Sequence, residues 1–136
     1  YSNFGADKVG SPASVHDVVE TLHNQYPDML VDGEMQVNYA LNKELRDKKY
    51  PFTKLRNREV NTLIFPNLSS ANSSYKLLKE IGMDDIIGPI QMGLNKPVHI
   101  LDVDTSVRDI VNMVALAVID AIVEENIKDN KLSRIV

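Results

Sequence analysis

VNTLIFPNLSSANSSYKLLKEIG, residues 60–82, is the stretch whose reading decides the fold. Val60-Asn61-Thr62-Leu63-Ile64-Phe65 is β-branched, aromatic and nearly all apolar, and Pro66 closes it, the pattern of a buried strand. A helix is predicted over about 70–81, and Gly82 fits its C′ position, where a left-handed backbone favours glycine. Strand, short loop and helix in succession are the unit of an α/β layer.

Working outward, Ile86-Ile87-Gly88-Pro89-Ile90 and Val98-His99-Ile100-Leu101 are further strand candidates, and Met29-Leu30-Val31 reads as a brief strand before Asp32-Gly33. A first helix is expected over about 15–25, capped by Ser14 and stopped by Pro27, and a second over about 38–48. The last helix, about 106–125, opens with Ser106 and Asp109 in a capping-box pattern. From Ile110 to Ile119 it is apolar almost all round, the mark of a buried helix. Residues 126–136 read as a tail after a single unit over 1–125. Together these elements predict an α/β fold, a mostly parallel sheet with helices on both faces.

Composition bounds the function. The 136 residues are 43% apolar and 25% charged, ordinary globular usage with enough apolar side chain for a core. The absence of cysteine excludes a disulfide scaffold, a thiolate nucleophile and a Cys-ligated metal. A net charge of −4 disfavours nucleic acid as a partner. No apolar run reaches the ~20 residues that span a bilayer. The chain opens on Tyr1-Ser2-Asn3-Phe4-Gly5, with neither Met nor a charged start, so it reads as cytoplasmic and as a piece of a longer protein.

Three segments carry candidate chemistry. In Phe65-Pro66-Asn67-Leu68-Ser69-Ser70-Ala71-Asn72-Ser73-Ser74-Tyr75-Lys76, hydroxyls, amides and one lysine meet a helix start, which suits a phosphate or carboxylate. The same residues are also what plain helix capping would place there. In Leu101–Asp109, Asp109 is a candidate general acid/base or orienting group, and Asp102 with Asp104 a candidate metal pair. The bland alternative is a capping box with two solvated loop acids, and no metal site is assigned. Residues 43–58 hold Lys43, Arg46, Lys48, Lys49, Lys54, Arg56 and Arg58, seven of the fifteen cations. They suit the phosphates of a nucleotide-like cofactor, an acidic partner, or simply solvent. His16, His23 and His99 do not converge and read as structural or exposed rather than catalytic.

The ordered blocks Tyr1–Gly5, VDGEMQVNYALN (31–42), TLIFPNLSSANSSYKLLKEIG (62–82), IGPIQMGLNKPVHILD (87–102) and VRDIVNMVALAVIDA (107–121) resemble the C-terminal part of the phosphate acetyltransferase family. They are most similar to the phosphotransacetylase-like region at the C-terminus of bacterial NADP-dependent malic enzymes. The resemblance implies a two-lobed α/β fold, of which this chain is the last portion. It places an upstream lobe and a malic domain, with NADP and a divalent metal, outside the chain. It further implies homo-oligomer assembly and acetyl-CoA as an inhibitory effector, with Asn3, Asn72, Ser73, Lys76, Asp102 and Asp109 as ligand-binding candidates. Lys76 matches the family's lysine after the Asn-rich loop, and Asp109 the aspartate that opens the last helix and assists thiol deprotonation. A Ser-Arg pair expected after the Pro-Val strand is replaced by Asp102 and Val103, and an arginine one turn after the lysine by Glu80. Arginine supplies charge where an acyl-transfer transition state becomes anionic, so its loss argues against that chemistry.

Overall fold

Local propensity gives five helices in the computed structural model, which describes residues 1–82 and 86–129: α1 Gly10–Gln25, α2 Val37–Leu41, α3 Lys43–Lys49, α4 Leu68–Glu80 and α5 Val107–Lys128. α1 starts before its expected cap. Pro12 lies in its first turn, where the missing N–H breaks no bond, and Ser14 Oγ donates back to the Gly10 carbonyl at 3.3 Å instead of capping. The helix expected over 38–48 is two. Asn42 leaves the helical region, and its Oδ1 accepts from Leu45 N–H at 2.9 Å, so it ends α2 and caps α3. Gly82 follows α4 at φ +88°, the left-handed backbone its C′ position demands. Ser106 caps α5 by accepting from Asp109 N–H at 3.1 Å. α5 continues through Lys128 into the expected tail, and residues 130–136 of that tail lie outside the described residues.

The predicted sheet does not form: among the described residues there is no β-strand. The runs at 29–31, 60–65, 86–90 and 98–101 have strand composition, but no ladder of backbone hydrogen bonds joins any of them to a neighbour. β-Propensity describes fit to a paired, half-buried surface, and without the pair it does not make a strand. Ile64 is 84% exposed and Ile100 71%, the reverse of a doubly covered sheet. α5 is likewise not buried all round. Met113 is its one buried residue, while Val111, Val114, Val118 and Ile122 are exposed.

The chain divides into two compact units, Tyr1–Lys76 and a second that opens at Leu77. In the first, Val19 and Ala40 are buried, and Phe4, Tyr39, Tyr50 and Phe52 form a ring cluster with centroids 4.9–5.9 Å apart. In the second, α5 carries buried Met113, and Asp120 meets the nearly buried His99 ring at 3.4 Å.

Candidate functional site

The N-terminal turn is built around one carboxylate. Glu34 is buried, and its Oε1 accepts from Ser2 Oγ at 2.6 Å and Gly5 N–H at 2.9 Å. Its Oε2 takes the same Gly5 N–H at 3.1 Å and lies 3.4 Å from His16 Nδ1. Gly5 reaches both oxygens with φ +77°, a backbone that side-chain-bearing residues rarely adopt. Asn3 serves the same knot: its Oδ1 accepts from Gln36 N–H at 2.8 Å. The structure thus commits the Asn3 side-chain oxygen to holding residues 1–6 against 34–36.

The Ser/Asn-rich stretch is helix, not loop. Asn67 is the residue before α4, and its Oδ1 accepts from Ser70 N–H at 2.9 Å. Ser70 and Ser74 hydroxyls donate to the Asn67 and Ser70 carbonyls at 3.0 and 2.8 Å. Capping by Asn67 and back-bonding of the two serine hydroxyls to the helix carbonyls therefore account for these three residues. Asn72, Ser73 and Lys76 are exposed, and their spacing of three and four places them on one side of α4. Lys76 Nζ lies 6.0 Å from the Tyr75 ring centroid.

The second candidate segment forms a tight turn. Thr105 returns to the Asp102 carbonyl through its N–H at 3.2 Å and its Oγ1 at 2.6 Å, with Asp102 and Asp104 on the surface. Val103 is fully exposed. Asp109 lies in the first turn of α5, 3.4 Å from Lys79 Nζ. The hydrogen bond with Ser106, then Lys79 and Arg108, hold its carboxyl below the usual carboxylate range, against some desolvation. A lowered pKa makes it a dependable anion and a weak base. Its contribution to folding is full above the ordinary carboxylate pKa and is lost as pH falls through the lowered one. In urea denaturation, Asp109→Asn is therefore expected to be less stable than the parent sequence at neutral pH. The gap begins to close at about pH 4 and vanishes further down; a gap unchanged by acid would remove the ionised carboxylate from the account.

Other residues settle into structural roles. His23 Nε2 is 2.8 Å from the Val31 carbonyl, and no group of three or more His, Asp or Glu able to hold a metal occurs among the described residues. Burial, then the neighbouring Tyr39, push the Tyr50 phenol above its ordinary pKa. Arg46, grouped in the sequence with solvated cations, is completely buried. Its guanidinium donates to the carbonyls of Ala40, Leu55 and Arg58 at 3.1, 2.9 and 2.6 Å. Glu34 and Arg46 are the residues that sequence reasoning passed over. The Asp32-Gly33-Glu34 turn and the one arginine inside an otherwise lysine-rich helix were the available signals.

The comparisons with known proteins agree with one another. A family model described as phosphate acetyl/butaryl transferase matches residues 1–118. The NADP-dependent malic enzyme of Salmonella typhimurium is 39% identical over 122 residues, 89% of this chain and 16% of that protein. The Escherichia coli NADP-dependent malic enzyme is 38% identical over the same span. A phosphate acetyltransferase from Clostridium acetobutylicum is 35% identical over 121 residues, 89% of this chain and 36% of its own. The chain thus spans about a sixth of the malic enzymes it matches. The matched part is their C-terminal region.

Proposed function

The chain belongs to the phosphate acetyl/butaryl transferase family, and from that premise we propose that it is the regulatory and assembly region of a cytoplasmic NADP-dependent malic enzyme. In this reading the longer protein decarboxylates malate oxidatively to pyruvate, with NADP and a divalent metal bound in an upstream domain. This region binds acetyl-CoA as an inhibitory effector through Asn72, Ser73, Lys76 and the basic stretch 43–58. The observation that carries the reading is the replacement at 102–103. Where the family resemblance implies Ser-Arg, the surface presents a carboxylate, Asp102, and the donor-free alkyl group of Val103. An anionic acyl-transfer transition state would meet a like charge at 102 and lack the guanidinium that the resemblance implies at 103. Lys79 Nζ lies 3.4 Å from Asp109 Oδ2. The exposed apolar positions of α5, Val111, Val114 and Val118 among them, support the assembly role. No helix among the described residues is long and apolar enough to cross a membrane.

An effector acts only through differential affinity for two states of the enzyme. The test uses the full-length enzyme and follows malate-dependent NADP reduction during an acetyl-CoA titration. Inhibition is expected in the complete protein, is lost when this region is removed, and is weakened by Lys76→Glu. Equal inhibition of complete and truncated forms would place the effector elsewhere. The retained Lys76 and Asp109 favour a second reading, a working phosphate acetyltransferase. Acetyl phosphate-dependent consumption of the coenzyme A thiol well above background would select it.

A further inference from the structure

Five cations on the Tyr1–Lys76 unit, Lys48, Lys49, Lys54, Arg56 and Arg58, are exposed, and their side chains have no ionic or hydrogen-bonding partner among the described residues. Two of the nearby acids are turned to other work, and Glu59 lies 3.8 Å from Lys43. Asp47 Oδ2 accepts from Asn57 N–H at 2.8 Å, and its Oδ1 pairs with buried Arg46 at 3.3 Å. Asp32 Oδ2 accepts from Thr53 Oγ1 at 2.5 Å and Lys54 N–H at 2.8 Å. Arg46 holds the Leu55 and Arg58 carbonyls. Asn57 takes the left-handed turn at φ +60°, which asparagine tolerates. The 53–58 backbone is therefore tied from inside at Thr53, Lys54, Leu55, Asn57 and Arg58, and three of its side chains are unneutralised cations. Beside them Phe52 is 68% exposed, its inner edge packed on Phe4 at 5.0 Å and Tyr50 at 5.9 Å.

We propose that this face is a binding site for a nucleoside polyphosphate, with the cations on its phosphates and the Phe52 ring under its base. Phosphates concentrate negative charge in a short span and match the arginine fork. An anchored aromatic ring accepts any base by stacking. A loop tied at its backbone holds the donors near their bound positions before the ligand arrives. The inference deepens the effector reading and rests on it for the natural ligand, because acetyl-CoA carries a phosphorylated adenosine diphosphate.

The test titrates the 136-residue chain calorimetrically with acetyl-CoA, ADP, inorganic pyrophosphate and a hexaglutamate peptide at low and high salt. ADP is expected to bind more tightly than pyrophosphate, and less tightly at high salt. The double variant Lys54→Glu/Arg56→Glu weakens ADP roughly tenfold or more, Phe52→Ala brings ADP down to the level of pyrophosphate, and Lys8→Glu changes nothing. The altered side chains touch no ionic partner, and an unchanged unfolding midpoint confirms that the double variant folds. No ADP binding, or ADP binding indifferent to the double variant, overturns the proposal. Hexaglutamate binding as tightly as ADP overturns it in favour of an acidic peptide. ADP binding at this face without acetyl-CoA binding sinks the effector reading alone, and acetyl-CoA binding indifferent to the double variant sinks this site alone.

Discussion

Replacing Arg46 by leucine is expected to lower the unfolding free energy by about 3–5 kcal/mol, the cost of removing one partner from a buried charged network. The side chain is 0% exposed and serves three carbonyls, Ala40, Leu55 and Arg58, besides Asp47. Leucine fills part of the volume but donates to none of them. Each carbonyl left without a donor costs about 1–3 kcal/mol where water cannot reach it. Lysine retains the charge but not the planar fork, so Arg46→Lys falls between the two. Urea denaturation of the three proteins measures the order. A loss below about 1 kcal/mol for leucine would mean that water replaces the guanidinium and that the site is not a staple.

Glu34→Ala follows at about 3 kcal/mol, since charge-assisted hydrogen bonds contribute about 1.5–3 kcal/mol each and are only partly recovered by solvent. The variant strands the Ser2 hydroxyl and the Gly5 N–H, which the carboxylate accepts at 2.6 and 2.9 Å. Glu34→Gln keeps the oxygen that accepts from both but loses the charge that strengthens these bonds, and loses about half as much. The segment that depends on the carboxylate is residues 1–7, so limited proteolysis there should quicken in step with the loss of stability. Unchanged cleavage beside a large stability loss would show that the Phe4 N–H to Glu34 carbonyl bond, 2.7 Å long, holds the turn by itself.

The sequence was legible where structure is local. Ser106 and Asp109 lie three residues apart and cap α5 as read. Gly82 marks the end of α4. The single helix expected over 38–48 failed at Asn42, whose side chain begins a new helix as readily as it sits inside an old one. Arg46 looked solvated because its carbonyl partners lie 6, 9 and 12 residues away, and its being the one arginine among the lysines of α3 does not by itself name them. Glu34 and Ser2 meet across 32 residues. The strand readings failed for the same reason in reverse. Val60–Phe65 has every local trait of a strand, but a strand is made by its neighbour, and the described residues supply none. For the candidate site, Lys76 and Asp109 could be named as residue types, whereas the use of Asn3 to hold Gln36 and of Lys79 to engage Asp109 shows only in the folded chain.

The ring cluster has a spectroscopic consequence. The chain has five tyrosines, three phenylalanines and no tryptophan, and all eight rings precede Leu77, where the second unit opens. Tyrosine emission and near-ultraviolet circular dichroism therefore originate in the first unit alone, the latter chiefly from the crossed Tyr39 and Tyr50 rings 5.0 Å apart. The 22-residue α5, in the optically silent second unit, is the longest helix described and dominates that unit's far-ultraviolet signal. The aromatic signals thus label the first unit, while the far-ultraviolet signal sums the helices of both. One heating run recorded at two wavelengths reports whether the units melt together or in turn, with no dye and no mutation.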